Sequence, residues 1–315
     1  MGSTHSPIGC RVAARRWTTL QYVPLTYAAI TPARDEAENL QRLFGCLVEQ
    51  THRPETWVIV DDRSTDDSLE TALAFSHAQP WVAVRSSAPE RDEALTSGRR
   101  SGRDVSAFNV GLAALTEVPQ VVVKLDADVS IGPDFFERLM AEFDADPRLG
   151  IASGACFELA DGHWQEVLVT RSHVRGATRA YRRECFKDVS PLEERLGWDG
   201  IDEVKANLAG WSTRSIRQLP FFHHRAMGER DGSWRAWESQ GDTARFLGYR
   251  FSYLLLRSLY QARRDVAALA MIWGYLHAVL RRDRVYEDSA VRAHLRGEQR
   301  LRRLPARALE ALGRS

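Results

Sequence analysis

VVVKLDAD, residues 121–128, is a run of β-branched side chains that ends on two carboxylates one residue apart. Its composition predicts a buried strand, and a strand that delivers Asp126 and Asp128 to its C-terminal end can grip a hard divalent cation there. The C-terminal rim of a parallel sheet is also where open α/β folds bind their ligands. The chain therefore reads as α/β and as a handler of a metal-bound diphosphate.

The text on either side agrees. Tyr27 to Thr31 predicts a first strand that stops at Pro32, and Asp35-x-x-Glu38 then predicts a helix start. Leu40, Leu43, Phe44, Leu47 and Val48 fall on one face of that helix. Trp57 to Val60 predicts a second strand, DDRSTDDS a turn into a helix, and Trp81 to Val84 a third strand. PERDEALTSGRRSGRD, residues 89–104, is too long and polar for a plain connection and predicts a functional flap. Beyond Gly150 the pattern loosens into mixed strands, a Gly- and Arg-rich segment at 174–186, a helix from Ile201 to Ala209 and a returning strand from Ser212. From Ser233 on, the chain reads as helical.

Composition excludes several classes. A net charge of +1 in 315 residues gives no global field for nucleic acid. The cysteines at 10, 46, 156 and 185 form no CxxC pair, so neither a zinc knuckle nor a disulfide framework is indicated. Val266 to Leu280 is the most apolar stretch, but fifteen residues fall short of a bilayer span. Arginine pairs at 263–264 and 281–282 flank it, which predicts a core helix or one lying in a membrane interface. The expected location is cytoplasmic, peripheral at the inner face of the membrane.

Two acidic strand ends, Asp61-Asp62 and Asp126-x-Asp128, predict carboxylates along one rim of the sheet, one pair for the nucleoside and one for the cation. Five segments in order, TPARDEAENL (31–40), VDDRSTDDS (60–68), SGRDVSAFNVGL (101–112), KLDADVSIGPDFFERL (124–139) and GWDGIDEVKANLAGW (197–211), resemble the inverting GT-A glycosyltransferases of family 2. The resemblance implies a GT-A, Rossmann-like mixed sheet flanked by helices, with a helical C-terminal extension. It divides the chain into a polar tail (1–24), a GT-A domain (25–232, with a nucleotide half at 25–128 and an acceptor half at 129–232) and a helical region (233–315).

What the family does is then expected of these residues. The donor is a nucleotide-diphosphate sugar, most simply a UDP-sugar, used with Mg²⁺ or Mn²⁺ in a single displacement that moves one sugar to a glycan or lipid-linked hydroxyl. Pro32, Ala33, Arg34 and Glu36 are expected to line the nucleotide pocket, Asp61 and Asp62 to meet base and ribose, and Arg103 to face the nucleotide. Asp128 is the expected metal ligand, with Asp126 reaching the ribose or the metal's water shell. His223 is a candidate to complete the metal shell, imidazole being an accepted Mn²⁺ ligand.

The base is expected on the acceptor side, where the family places the Asp of a Glu-Asp pair about eleven residues before a helix-ending Gly. Asp199 occupies that place before Gly210, with Trp198 where Glu is usual, and Asp202 and Glu203 stand nearby. Arg179 and Arg182 are candidates for phosphate or acceptor contacts and Trp198 for stacking on a sugar. Two other readings remain: a haloacid-dehalogenase-like phosphatase with Asp126 as nucleophile, and a GT-A scaffold that binds without catalysis. The first lacks the later Lys and acidic pair it requires. A processive synthase would carry Q-x-x-R-W and spanning helices, and neither is present.

Overall fold

The computed structural model describes residues 24–87, 102–160, 162–169, 173–225 and 232–300. The expected polar tail, except its last residue, and most of the expected flap lie outside the described residues, as does the end of the expected helical region after residue 300.

The chain runs β1 (Tyr27–Ala33), α1 (Ala37–Val48), β2 (Thr56–Asp61), α2 (Ser68–Ala78), β3 (Val82–Ser86), α3 (Arg103–Ala113), β4 (Val121–Leu125), β5 (Val129–Ile131) and α4 (Phe135–Ala145). It continues through β6 (Leu149–Ala160), β7 (His163–Glu166), β8 (Thr178–Arg182), α5 (Arg183–Val189), α6 (Trp198–Leu208) and β9 (Ser212–His223). Four helices follow: α7 (Ser233–Phe246), α8 (Phe251–Gln261), α9 (Ala270–Leu280) and α10 (Ser289–Glu298).

One sheet carries the strands in the order β3-β2-β1-β4-β8-β6-β9-β5, with β7 added to β6. β3, β2, β1 and β4 are parallel. β1, β2 and β4 are buried on both faces and read as largely apolar runs, whereas β3 at the edge ends in exposed Arg85 and Ser86. In β4, Val121, Val123 and Leu125 join the core cluster built with Leu40, Leu43 and Phe136, while Val122 enters the opposite cluster with Phe108, Phe186 and Trp198. This alternation is the period-two geometry of a strand. Each such buried side chain contributes about 1.5–3 kcal/mol relative to exposure.

Topology explains why chemistry converges on one rim. β8 is antiparallel to β4 and to β6, and β9 is parallel to β6. The C-terminal ends of β1, β2, β4, β6 and β9 therefore open to the same side as the N-terminal end of β8. The Asp126 N–H donates to the Ala177 carbonyl at 2.8 Å, and the His224 N–H donates to the Asp128 carbonyl at 2.8 Å, which ties this rim together. Two strands escaped the sequence reading. β5 is three residues long, and β8, TRAYR, places arginines where an apolar pattern was sought. The C-terminal helices pack on α6: Ile201 shares a buried cluster with Phe246 and Leu247, and Arg195 pairs with Asp242 at 2.5 Å.

Candidate functional site

β1 and β2 end in register, Ala33 opposite Asp61, so the two strands bring Pro32, Ala33, Asp61 and Asp62 to adjacent points on the rim. Asp61 is buried and its Oδ1 accepts the Ser64 N–H at 3.3 Å. Asp62 is held by cations: Arg103 Nε lies 3.0 Å from its Oδ2, Arg34 Nη1 4.0 Å from the same oxygen, and Arg63 Nε 3.9 Å from Oδ1. Ser87 Oγ donates to Oδ1 at 2.7 Å. Asp62 is thus an anchor for arginines at the nucleoside end. Arg103 opens α3 directly after Gly102, whose φ of 65° only glycine adopts freely and whose missing Cβ leaves room for the Glu194 backbone.

The acidic corner lies one strand further on. Asp126, Asp128 and His223 each offer a ligand atom, all within 4.8 Å of one another. His223 is buried, with Nε2 3.2 Å from Asp128 Oδ1 and Nδ1 3.7 Å from Glu158 Oε1. Each ring nitrogen thus faces a carboxylate, without the alignment of a good hydrogen bond. Burial alone would favour the neutral ring, but Asp128 and Glu158 outweigh it and raise the imidazole to about 9. His223, Asp126 and Asp128 would hold a divalent cation here, the ring giving up its proton to bind it. Carboxylates and imidazole suit Mg²⁺ or Mn²⁺, so the donor set fits the group expected here.

The surroundings of this corner balance its charge. Lys124 Nζ lies 2.6 Å from Asp126 Oδ1 and 3.4 Å from Asp104. Arg225 forks onto Glu36, Nη1 to Oε1 at 2.6 Å and Nη2 to Oε2 at 2.8 Å, and its Nη1 is 3.1 Å from Asp128. Glu36, expected to line the nucleotide pocket, is held in an ion pair that joins the end of β1 to the segment after β9. Arg175 holds Glu158 at 2.7 Å; burial would raise that carboxyl, but His223 and Arg175 keep it below its usual range. Sequence reasoning missed Glu158, Arg175, Lys124 and Arg225. Of these only Lys124 carried a signal, a lone charge inside an apolar strand.

Across from the acidic corner α6 begins at Gly197, whose φ is 93°. An added Cβ would stand 2.6 Å from Thr243 Cγ2. Gly197→Ala is expected to cost about 1–2 kcal/mol from the left-handed backbone alone, measured by urea unfolding. Asp199 lies in the first turn of α6, half-buried, and its carboxylate has no hydrogen-bond or ion-pair partner among the described residues. Its carbonyl accepts from Arg179 Nη2 at 2.8 Å.

Four expectations are corrected here. Asp202 is buried, forked by Arg179 (Nε to Oδ2 3.0 Å, Nη2 to Oδ1 2.5 Å) and further bonded by Tyr181, so it cannot meet an acceptor. Arg179 is wholly buried and spends its guanidinium on Asp202, Glu203 and the Val174 and Asp199 carbonyls, which leaves nothing for a phosphate. Arg182 lies at the far end of β8, where it donates to the Leu149, Phe143 and Asp146 carbonyls. Trp198 is buried against Gly176, with Lys124 5.4 Å and Arg179 5.5 Å from its ring, so its faces are occupied by cations and not by a sugar. Glu203 holds the loop before β8, accepting the Val174 N–H at 2.6 Å.

The model of glycosyl transferase family 2 matches residues 28–188, about half of the chain. Among solved structures, a mannosyltransferase from Pyrobaculum calidifontis, PcManGT, solved with GDP-Man and Mn²⁺, is 15% identical. The match covers 92% of this chain and 85% of that one with a TM-score of 0.52. GalNAc-T7, solved with UDP, GalNAc and Mn²⁺, is 17% identical over 64% of this chain and 43% of that one, TM-score 0.50. A TarS fragment from S. aureus with UDP is 17% identical with a TM-score of 0.49; the match takes in 68% of this chain and spans 64% of that fragment. No curated protein matches the sequence. The family match spans β1 to α5, the part of the chain that supplies Asp61, Asp62, Asp126 and Asp128, and it shows that the chain belongs to glycosyl transferase family 2.

Proposed function

We propose that this protein is a metal-dependent, inverting glycosyltransferase that moves one sugar from a nucleotide-diphosphate sugar to a hydroxyl of a glycan or lipid-linked glycan. The observation that carries the reading is the cluster of Asp126, Asp128 and the buried His223, whose ligand atoms all lie within 4.8 Å of one another at the ligand-binding rim. Solved relatives of like fold hold UDP or GDP-Man with Mn²⁺, which supports a nucleotide-sugar donor; a UDP-sugar is the working choice. In this reading the enzyme acts in the cytoplasm. Residues 25–128 serve the donor, residues 129–232 the acceptor, and the helices after 233 form a separate region.

Asp126, Asp128 and His223 hold the cation, which when bound neutralises the charge that develops on the departing diphosphate. Asp61, Asp62 and Arg103, with Pro32, Ala33 and Arg34, frame the nucleoside. Asp199 takes the acceptor's hydroxyl proton while the acceptor oxygen bonds to the anomeric carbon and the bond to the diphosphate oxygen breaks on the opposite face. Asp199 is the carboxylate of α6 left free for that work, since Asp202 and Glu203 are spent on Arg179 and the Val174 loop.

A thermal-shift series of nucleotide sugars with and without Mn²⁺ tests the reading. The true donor with Mn²⁺ is expected to raise the midpoint by several degrees, because a ligand at about 100 times its Kd adds roughly 2.7 kcal/mol to stability. No shift with any nucleotide sugar would refute it. Glu158 makes a further test, since it backs His223 from the side away from Asp128. Glu158→Gln is expected to weaken Mn²⁺ binding by roughly 10–100-fold, read from free Mn²⁺ by electron paramagnetic resonance.

A further inference from the structure

We infer that α8 and α9 form a surface that docks on an anionic lipid bilayer. α9 is turned inside out relative to an ordinary surface helix. It packs on α7 through small residues: an added Cβ at Gly274 would stand 2.0 Å from the Glu238 carbonyl, and one at Gly241 equally close to that of Met271. The two backbones touch, so only Ala270, Met271, Gly274 and Ala278 are buried on that side. The bulky apolar residues point away from the protein. Leu269, Trp273, Leu276 and Leu280, spaced four, three and four apart, form one outward stripe, with Trp273 53% and Leu280 76% exposed.

α8 extends the stripe into a patch. Ser258 Oγ donates to the Ala268 carbonyl at 2.9 Å and Phe251 packs on Tyr275, which fixes α8 beside α9. Leu255, Leu256 and Leu259 are exposed on its outer side. A contiguous apolar patch of this kind on a water-soluble fold marks an interaction surface.

Charge selects the partner. Residues 250–282 contain six arginines and a single acid, Asp265. That acid is turned inward, where its carboxylate accepts from Ser233, Trp237 and the Ala267 N–H. Arg263 and Arg264 lie exposed at one end of the stripe, Arg281 and Arg282 at the other. Arg264 and Arg282 have no ion-pair partner among the described residues. A second copy of the chain would bring this cationic face against itself. The two terminal segments outside the described residues are no better matched: residues 1–23 carry three arginines and no acid, and residues 301–315 four arginines and one glutamate. An anionic bilayer complements both features, apolar side chains entering the headgroup boundary and guanidinium groups meeting phosphates. No described helix is long and apolar enough to cross a membrane, so the contact lies in the interface.

The test is co-flotation of the full chain with vesicles, either pure phosphatidylcholine or phosphatidylcholine mixed with phosphatidylglycerol. Binding is expected with the anionic vesicles, much less with the neutral ones, and weaker as salt rises. Trp273→Glu with Leu276→Glu, at solvent-facing positions, is expected to lower the bound fraction at least about tenfold, and Arg264→Glu with Arg282→Glu by roughly the same factor, with unchanged melting midpoints. Absence of flotation by the unaltered chain would overturn the inference, as would equal binding by either double variant. A concentration-dependent dimer in sedimentation velocity that Trp273→Glu dissolves would instead assign the face to self-association and equally refute the lipid reading.

Discussion

Asp199→Asn is expected to leave Mn²⁺-dependent binding of the nucleotide sugar intact and to lower transfer by about 10³-fold or more, measured as product release at saturating donor. A positioned general base contributes roughly 10²–10⁴-fold, and each factor of ten corresponds to about 1.4 kcal/mol of barrier. Asparagine keeps the size and polarity of the side chain but cannot take a proton. The substitution should also be structurally quiet, because the interaction that positions Asp199 runs through its main-chain carbonyl to Arg179, which asparagine retains. Wild-type transfer by this variant would remove the base from Asp199 and, Asp202 being enclosed by Arg179 and Tyr181, leave Glu203 to account for it. Loss of donor binding together with transfer would show a structural role. Transfer absent from both the unaltered chain and the variant, with donor still bound, would support the scaffold reading.

The central parallel strands were legible because burial on both faces leaves a plain apolar run; β1, β2 and β3 each begin and end within two residues of the predicted spans, and β4 starts at Val121 as predicted but stops at Leu125, before the two aspartates. The same logic fails for β8. Its central Arg179 is fully buried, a placement that makes sense only with Asp202 of α6 across from it, and no local pattern announces a partner 23 residues away. That pair also explains why sequence alone left Asp199 and Asp202 as rivals. Both are acids near the start of one helix, and three residues of helical rotation separate a half-buried carboxylate from one enclosed among Arg179, Tyr181 and the core.

The acidic rim was legible in part for a similar reason. Asp61, Asp62, Asp126 and Asp128 end strands that could be read, so their shared edge followed from topology. Glu158 and Arg225 had no such handle. Glu158 reaches His223 because β6 and β9 pair in register at those two residues, a register set after a bulge between Gly154 and Ala155. Arg225 finds Glu36 across 189 residues. Arg179 and Arg182 do not face phosphate, because Asp202, Glu203 and backbone carbonyls claim the first and backbone carbonyls alone the second.

Asp128→Ala is expected to abolish the Mn²⁺-dependent part of donor binding and to lower transfer by roughly 10³-fold, since a metal acting on a leaving diphosphate contributes several kcal/mol to the transition state. Isothermal titration of the nucleotide with and without Mn²⁺ reads the first effect directly. The fold should survive, because Arg225 keeps its two-pronged bond to Glu36 after losing Asp128. Asp126 cannot substitute. Its Oδ1 is already engaged by Lys124 at 2.6 Å, so a cation that relied on Asp126 and His223 alone would compete with a buried ammonium for the same carboxylate. This asymmetry also separates the two aspartates by experiment: Asp126→Asn should weaken the metal site while leaving measurable Mn²⁺ dependence, whereas Asp128→Ala should leave none. If Asp128→Ala retained full Mn²⁺-dependent binding, the cation would have to sit elsewhere, and the pairing of His223 with Asp128 and Glu158 would be structural.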